Sequence, residues 1–432
     1  MQTSECFFPI STSRNQIGHI QVAGHDLCTL AEQWGTPLYI YDAQTIRTRT
    51  QEAIDMVSSA YAGESAVSYA AKAYFSLGLA RKLSQLHLKL DAVSLGEMLI
   101  AQKGGFDVQN VHLHGNNKSK EELHFALHWG IENIVVDSLE ELSLLETVAQ
   151  EMGREARIWL RITPGVDVDT HPYVQTAHVA SKFGIPMEEG QALHAIQQCK
   201  SSRWLNLVGL HTHIGSQVFD LDPYVRAIRM LVGLAEEAEY IPQEISPGGG
   251  WGVPYREDDD RFDPREMLQA ISAAIQDECR RLNWPLPKLV VEPGRWIIAR
   301  AGVAIYSVGS TKFSGNGLYI VALDGGMADN PRPALYQSRY SACLLGRPDA
   351  IPQHRAALVG RFCESGDQLI SEIMLPEVRR GDYIAIPMAG AYQLSMSSNY
   401  NLVPRPAVLW LEDGKTEILQ KRESIADIDW WN

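Results

Sequence analysis

Between about residues 64 and 292 the chain repeats one rhythm: a short apolar run, a polar or glycine-containing stop, then a longer stretch with helical spacing. The apolar runs are AVSYAAK, LKLDAVS, VHLHG, NIVVDS, RIWLRITPG, LNLVGLHTHIGS, EISPGGG and KLVVEPGR; EELHFALHWG, LEELSLLETVAQEMG and DPYVRAIRMLVGLAEEAE are among the stretches between them. About eight strands alternating with helices predict an α/β architecture, a (β/α)8 TIM barrel, over a doubly wound open sheet. After about residue 303 the rhythm stops. GLYIVALDGG, RAALVGRF, GDYIAIPM and AVLWLEDGKTEILQ are short, β-rich and joined by Gly, Asp and Asn turns, which predicts a separate C-terminal all-β domain of Greek-key-like barrel or sandwich type.

Polar residues collect where the apolar runs end. Lys72, Asp91, His114, Asp137, Arg161, His213, the glycines 248 to 250, and Glu292 with Arg295 all follow such runs on their C-terminal side. In a parallel barrel those ends share one face, where active sites form. Lys72 lies in SYAAKAYFS among small and aromatic residues. An ammonium group held against an apolar wall has its charged form disfavoured and becomes nucleophilic, the signature of a Schiff-base lysine. The competing reading is a lysine snorkelling from a strand end.

Three further stretches narrow the chemistry. In HTHIGSQ (211–217) His213 can lie against a flat ring while Ser216 and nearby amides face a phosphate. A metal pair at His211 and His213 is set aside on the expectation that the two point to opposite strand faces, and no metal is assigned. In SPGGGWG (246–252) the glycines let backbone amides approach an anion closely. In VVEPGRW (290–296) Glu292 can keep a pyridine nitrogen protonated and Arg295 can fork an anionic group, an ordinary Glu–Arg ion pair being the bland alternative. A pyridinium partner, a phosphate cradle and a nucleophilic lysine together describe pyridoxal 5'-phosphate. In the β domain, FCESGDQL places Cys363 beside Glu364 and Asp367, acids that favour a protonated thiol and so a proton donor, although a buried inert cysteine fits as well. RPALY and GAYQLSMSSNYN add Arg332, Tyr336 and Tyr392 as polar anchors.

The bulk numbers exclude several classes. A formal net charge of -14 over 432 residues argues against a nucleic-acid surface and points to small-molecule partners. Cys6, Cys28, Cys199, Cys279, Cys343 and Cys363 form no CxxC pair, the usage of a reducing compartment. MQTSECFFPISTSRNQ does not read as a secretory signal, and no run approaches the ~20 apolar residues of a membrane span. A cytoplasmic protein without membrane contact is expected.

YAAKA, LDAVSLGE, HGNNKS, SKFGI, GLHTHIGSQ, GGGWG, EPGR, RPALY, CESGD and GAYQLSMSSNYN occur in an order that resembles diaminopimelate decarboxylases, of the alanine racemase-like class of PLP enzymes (fold type III), from about residue 35 to 410. The resemblance implies an N-terminal segment (1–41) whose strand joins the β domain, a PLP-binding barrel (42–302) and a C-terminal β domain (303–432). It implies a homodimer in which Cys363 and Glu364 reach into the partner's site. It further implies that Lys72 binds PLP and His213 stacks on the ring. Ser216, Gly249 and Gly250 would hold the phosphate, and Glu292 would pair with the pyridine nitrogen. Asp91, Gly294, Arg295 and Tyr392 would complete the cofactor site, while Arg295, Arg332, Tyr336, Glu364 and Tyr392 would contact substrate. Lys72 and Cys363 would be catalytic, Cys363 returning the proton to Cα after CO2 leaves.

A distal carboxylate on the substrate would satisfy arginines that ornithine, lysine or arginine would leave unpaired, so meso-2,6-diaminopimelate, yielding lysine, is the expected substrate. Decarboxylases of another basic or dicarboxylic amino acid, of the ornithine, lysine, arginine or carboxynorspermidine type, a PLP racemase on the same barrel and a catalytically silent relative are the alternatives. The chain departs from the family pattern at Lys72-Ala73-Tyr74, where KAN is usual, at TAHVA before SKFGI, and at a proline in SPGGGWGVPY.

Overall fold

The computed structural model describes residues 7–165 and 181–428, so TAHVA and Cys6 lie outside the described residues. The chain forms two compact units: residues 50–253 with 260–294, and residues 1–49 with 254–259 and 295–432.

The first unit is a closed parallel barrel. Its strands in order are Ser65–Ala70, Lys89–Ala92, Val111–Leu113, Asn133–Val136, Ala156–Thr163, Leu205–His211, Glu244–Gly249 and Lys288–Glu292, the last pairing back onto the first. Each matches one of the apolar runs, because strands buried on both faces read as continuous apolar stretches. A serine repeatedly marks the passage from strand to helix. Ser94, Ser119 and Ser138 each accept a backbone N–H of the following helix, and Ser119 with Glu122 forms a complete capping box. Left-handed glycines then stop the chain: Gly105, Gly130 and Gly153 close the helices Leu95–Gly104, Lys120–Trp129 and Leu139–Met152. Val135, Trp159, Val208 and Val290 form one apolar cluster of the barrel.

The second unit is a mostly β assembly. One path of hydrogen-bonded strands runs Gln368–Leu375, His354–Val359, Tyr319–Leu323, Gly302–Phe313, Leu38–Asp42, Ala407–Glu412, Lys415–Gln420. Its spine is Gly302–Phe313, twelve residues long and not singled out by the sequence pattern. The first half is flanked by Leu38–Asp42 and Tyr383–Pro387, the second by Tyr319–Leu323. The N-terminal strand therefore joins the β unit, as the family resemblance implies. Leu38, Ile40, Val303, Ile305, Ala385 and Leu409 bury their side chains together at its core.

Candidate active site

In the barrel unit the expected residues stand at or just beyond the strand ends. Lys72 sits in a single 3-10 turn, Ala71–Ala73, immediately after the first strand. Its side chain is exposed although Ala71, Ala73 and Tyr74 around it are buried. This corrects the expectation of a lysine pressed into an apolar wall: its neighbours in the turn are buried, but Lys72 itself is exposed.

The two histidines of HTHIGSQ are also arranged differently from expectation. Residues two apart share a strand face, so alternation cannot separate them; the strand simply ends at His211. His213 lies in the turn, where its Nδ1 accepts the Gly249 N–H at 3.2 Å. Burial, with the positive charges of Lys72 and Arg161 nearby, holds His213 well below the ordinary histidine value. It is a neutral ring.

The glycine run is built for close approach. A β-carbon on Gly250 would lie 2.0 Å from the Gly215 carbonyl oxygen, and one on Gly248 2.6 Å from His213 Nδ1. Gly248 and Gly250 carry φ of +77° and +86°. Tyr224 donates to the Gly249 carbonyl at 2.8 Å and Val218 N–H to the Gly250 carbonyl at 2.9 Å, which fixes the turn. The Gly249 amide, assigned from sequence to the phosphate, is here given to His213, while Ser216 is half-buried. Gly294 is needed for another reason: a β-carbon there would meet Ala70 at 2.9 Å.

Glu292, at the end of the last strand, accepts Ser246 Oγ at 2.7 Å and faces His211 Nε2 at 3.1 Å. Burial alone would raise its pKa, but the neighbouring His211 outweighs it and the carboxyl is held below its ordinary value. Asp91 accepts Ser68 Oγ at 2.6 Å and lies 3.4 Å from both His112 Nδ1 and His114 Nε2. Burial opposes its ionisation, yet the two histidines hold it far below the usual carboxylate range. Deeper in, His112 Nε2 meets Glu132 at 3.0 Å, and Lys89 pairs with the same carboxylate.

Inward polar residues recur in pairs two apart: Lys89 and Asp91, His112 and His114, Glu244 and Ser246. Residues i and i+2 share a strand face, so this period-two signal is present in the sequence and marks the barrel interior as polar. Ser246, His112 and Glu132 escape a reading centred on strand ends because all three lie short of those ends.

SKFGI is anchored by two residues singled out from sequence. Asp137 accepts the Gly184 N–H at 2.9 Å, and the Arg161 guanidinium lies 4.5 Å over the Phe183 ring.

In the β unit, Arg295 Nη1 donates to Tyr255 Oη at 2.9 Å and its guanidinium lies 4.5 Å over Tyr392. Arg332, buried, donates to Tyr340 Oη at 2.5 Å, stacks 4.9 Å over Tyr255 and keeps its Nε without a hydrogen bond. Burial would raise the pKa of Tyr255, but Arg295 and Arg332 pull it below its ordinary value. Tyr255 and Tyr340 were missed from sequence, and no motif marks them. Tyr336 is half-buried on the short helix Arg332–Tyr336.

Cys363 and Glu364 are both exposed, so the buried inert cysteine is excluded. Asp367 does not serve the thiol as expected: its oxygens accept Met327 N–H at 2.6 Å and Phe362 N–H at 2.8 Å, so it shapes the CESGD loop.

The donor set of the barrel fits pyridoxal phosphate. An ionised carboxylate stands at one strand end, a neutral flat imidazole at another, an exposed amine follows the first strand, and a glycine turn has no room for side chains. The family described as pyridoxal-dependent decarboxylase, pyridoxal binding domain, matches residues 45–299. The diaminopimelate decarboxylase of Bacillus subtilis is 41% identical over 422 residues, covering 96% of this chain and 96% of that one. Among solved structures, diaminopimelate decarboxylase from Helicobacter pylori complexed with L-lysine superposes with a TM-score of 0.84 at 35% identity, covering 93% of this chain and 97% of that one. That from M. jannaschii in co-complex with L-lysine gives 0.89 at 32%, covering 97% and 96%. A parallel barrel whose strand ends suit pyridoxal phosphate, joined to a β unit carrying exposed Cys363 and paired arginines, in a chain matched along nearly its whole length, belongs to the diaminopimelate decarboxylases.

Proposed function

We propose that this chain decarboxylates meso-2,6-diaminopimelate to L-lysine and CO2, the last step of lysine biosynthesis. The observation that carries the reading is the ring of barrel strand ends bearing Lys72, the glycine turn and an ionised Glu292, in a chain similar over nearly its full length to enzymes of that name. Pyridoxal phosphate, when bound, supplies an electron sink for the pair released as the Cα–carboxylate bond breaks.

The chain's own residues do the rest. Lys72, exposed, is the amine that would hold the cofactor. Neutral His213 offers a flat, uncharged face for the cofactor ring. Ser216, Gly250 and the backbone around them suit a phosphate, and Glu292 supplies the negative charge that a protonated ring nitrogen requires. Arg295 and Arg332, with Tyr336, Tyr392 and Glu364, are the recognition set for the two carboxylates and distal amine of the substrate. Cys363 donates the proton that replaces the carboxylate on Cα.

Exposure of both Cys363 and Glu364 supports a homodimer in which this pair serves the partner's site. No helix among the described residues is long and apolar enough to cross a membrane.

The test is CO2 release from meso-, LL- and DD-diaminopimelate, with L-lysine, L-ornithine and L-arginine as controls. Release from the meso isomer alone, abolished in Lys72→Ala, is expected. Release from a different amino acid would overturn the substrate, and racemisation without CO2 would overturn the reaction.

A further inference from the structure

Glu292 must stay ionised in a buried place and keep an oxygen turned toward its partner, and two residues behind it are arranged for that purpose. Ser246 Oγ donates to Oε1 at 2.7 Å. His211 Nε2 stands 3.1 Å from Oε1 and 3.3 Å from Oε2. Ser246 thus serves Oε1 and His211 Oε2, and each carboxylate oxygen keeps capacity to accept one further hydrogen bond.

The His211 ring is locked. The Trp159 indole lies nearly parallel to it, centroids 6.2 Å apart and planes inclined by 15°, while the His114 ring stands edge-on at 5.1 Å. Trp159 is itself fixed by donating Nε1–H to Glu244 at 2.7 Å. It also fills the space left by Gly209, where a β-carbon would come within 2.7 Å of the indole. Gly209 and His211 share a strand face, so the missing side chain at one seats the ring that orients the other.

Chemistry settles the tautomer. His211 is buried, and its Nδ1 has no hydrogen-bond partner, so the proton belongs on Nε2, facing Glu292. Burial and the positive field of His114 and Arg161 hold His211 below the ordinary histidine value even though Glu292 opposes this, so the ring donates a hydrogen bond without carrying a charge. A neutral donor suits this position, because an imidazolium would compete with the pyridinium for the same carboxylate.

We propose that His211 is a positioning residue that, through Nε2–H, keeps Glu292 ionised and aimed at the ring nitrogen of bound pyridoxal phosphate. This rests on the site reading given under Proposed function.

The experiment uses the full chain reconstituted with pyridoxal phosphate labelled with 15N in the ring. It compares the wild type with His211→Leu, which removes the donor, and His211→Gln, which restores an N–H. The ring-nitrogen chemical shift and the cofactor dissociation constant are read, with folding checked by the thermal melt. The expected result is a protonated ring nitrogen in the wild type. His211→Leu should shift toward the unprotonated form with ~10- to 100-fold weaker binding, as for a lost hydrogen bond to a charged group, and His211→Gln should recover much of both. An unchanged shift in His211→Leu, or equal loss in both variants, would overturn the proposal. Should His211→Leu fail to fold, His211→Asn, whose shorter amide falls short of Glu292, is read in its place by the same criteria. A wild type that binds no cofactor at Lys72, or whose ring nitrogen is unprotonated, would instead overturn the reading of the site.

Discussion

Gly249 and Glu292 touch through their backbones: a β-carbon on Gly249 would lie 1.9 Å from the Glu292 carbonyl oxygen. The obstacle is main chain on the adjacent strand, so no side chain can swing away. Gly249→Ala should push the seventh and eighth strands apart, costing about 1–3 kcal/mol or more and weakening cofactor binding through Glu292. Denaturant midpoints and cofactor stoichiometry measure this. Gly233→Ala is the counterpart: exposed inside the helix Asp222–Glu237 with nothing within 4 Å, it should stabilise by about 0.5–1 kcal/mol.

Glu132 gives a pH prediction. Burial raises its pKa, but His112 and Lys89 hold it at about 2, below the ordinary carboxyl value of 4.5. A depressed folded-state pKa means the unfolded chain takes up the proton first as acid is added. Its contribution is therefore complete above about pH 4.5 and is lost as pH falls toward about 2. Glu132→Gln should destabilise strongly at neutral pH, where it leaves Lys89 buried without its carboxylate, and the gap to wild type should close across that window in urea titrations.

Lys118, in HGNNKS, is a buried clasp. Its Nζ donates to the Gly115 carbonyl at 2.7 Å, the Val135 carbonyl at 2.6 Å and Glu141 at 2.7 Å. Lys118→Met removes the cation and strands the buried Glu141 carboxylate, at about 3–5 kcal/mol. Lys118→Met combined with Glu141→Leu should recover part of the loss, read by denaturant unfolding.

Cys363→Ala separates chemistry from cofactor binding. As the proposed acid, Cys363 should cost about 10²- to 10⁴-fold in kcat when removed, with cofactor content and its absorption spectrum unchanged. A variant with wild-type kcat would assign protonation elsewhere.

The sequence revealed features that rest on local grammar. LKLDAVS carries its strand, its inward Asp91 and the Ser94 cap in seven letters, and the eight barrel strands were legible this way. What escaped depends on residues far apart in the chain. Tyr255 meets Arg295 and Arg332, and Tyr340 meets Arg332, through tertiary packing alone, so no spacing announces either phenol. The exposure of Lys72 escaped because a 3-10 turn of only three residues, formed where the strand runs out, decides where its side chain goes. GVAIYSVGSTKF was overlooked because its exposed second half lacks the apolar character that marks a buried strand.

The strand Leu38–Asp42, wholly buried, has for neighbours Gly302–Ile305 on one side and Ala407–Leu411 on the other. On a ribosome adding roughly 5–20 residues per second, it waits on the order of 10–50 s for the first of them and longer for the second. Through that interval LYIYD is a bare, apolar edge able to pair with any passing strand. The β unit thus closes late, and the interval before its distant partners emerge is when this edge is open to wrong pairing.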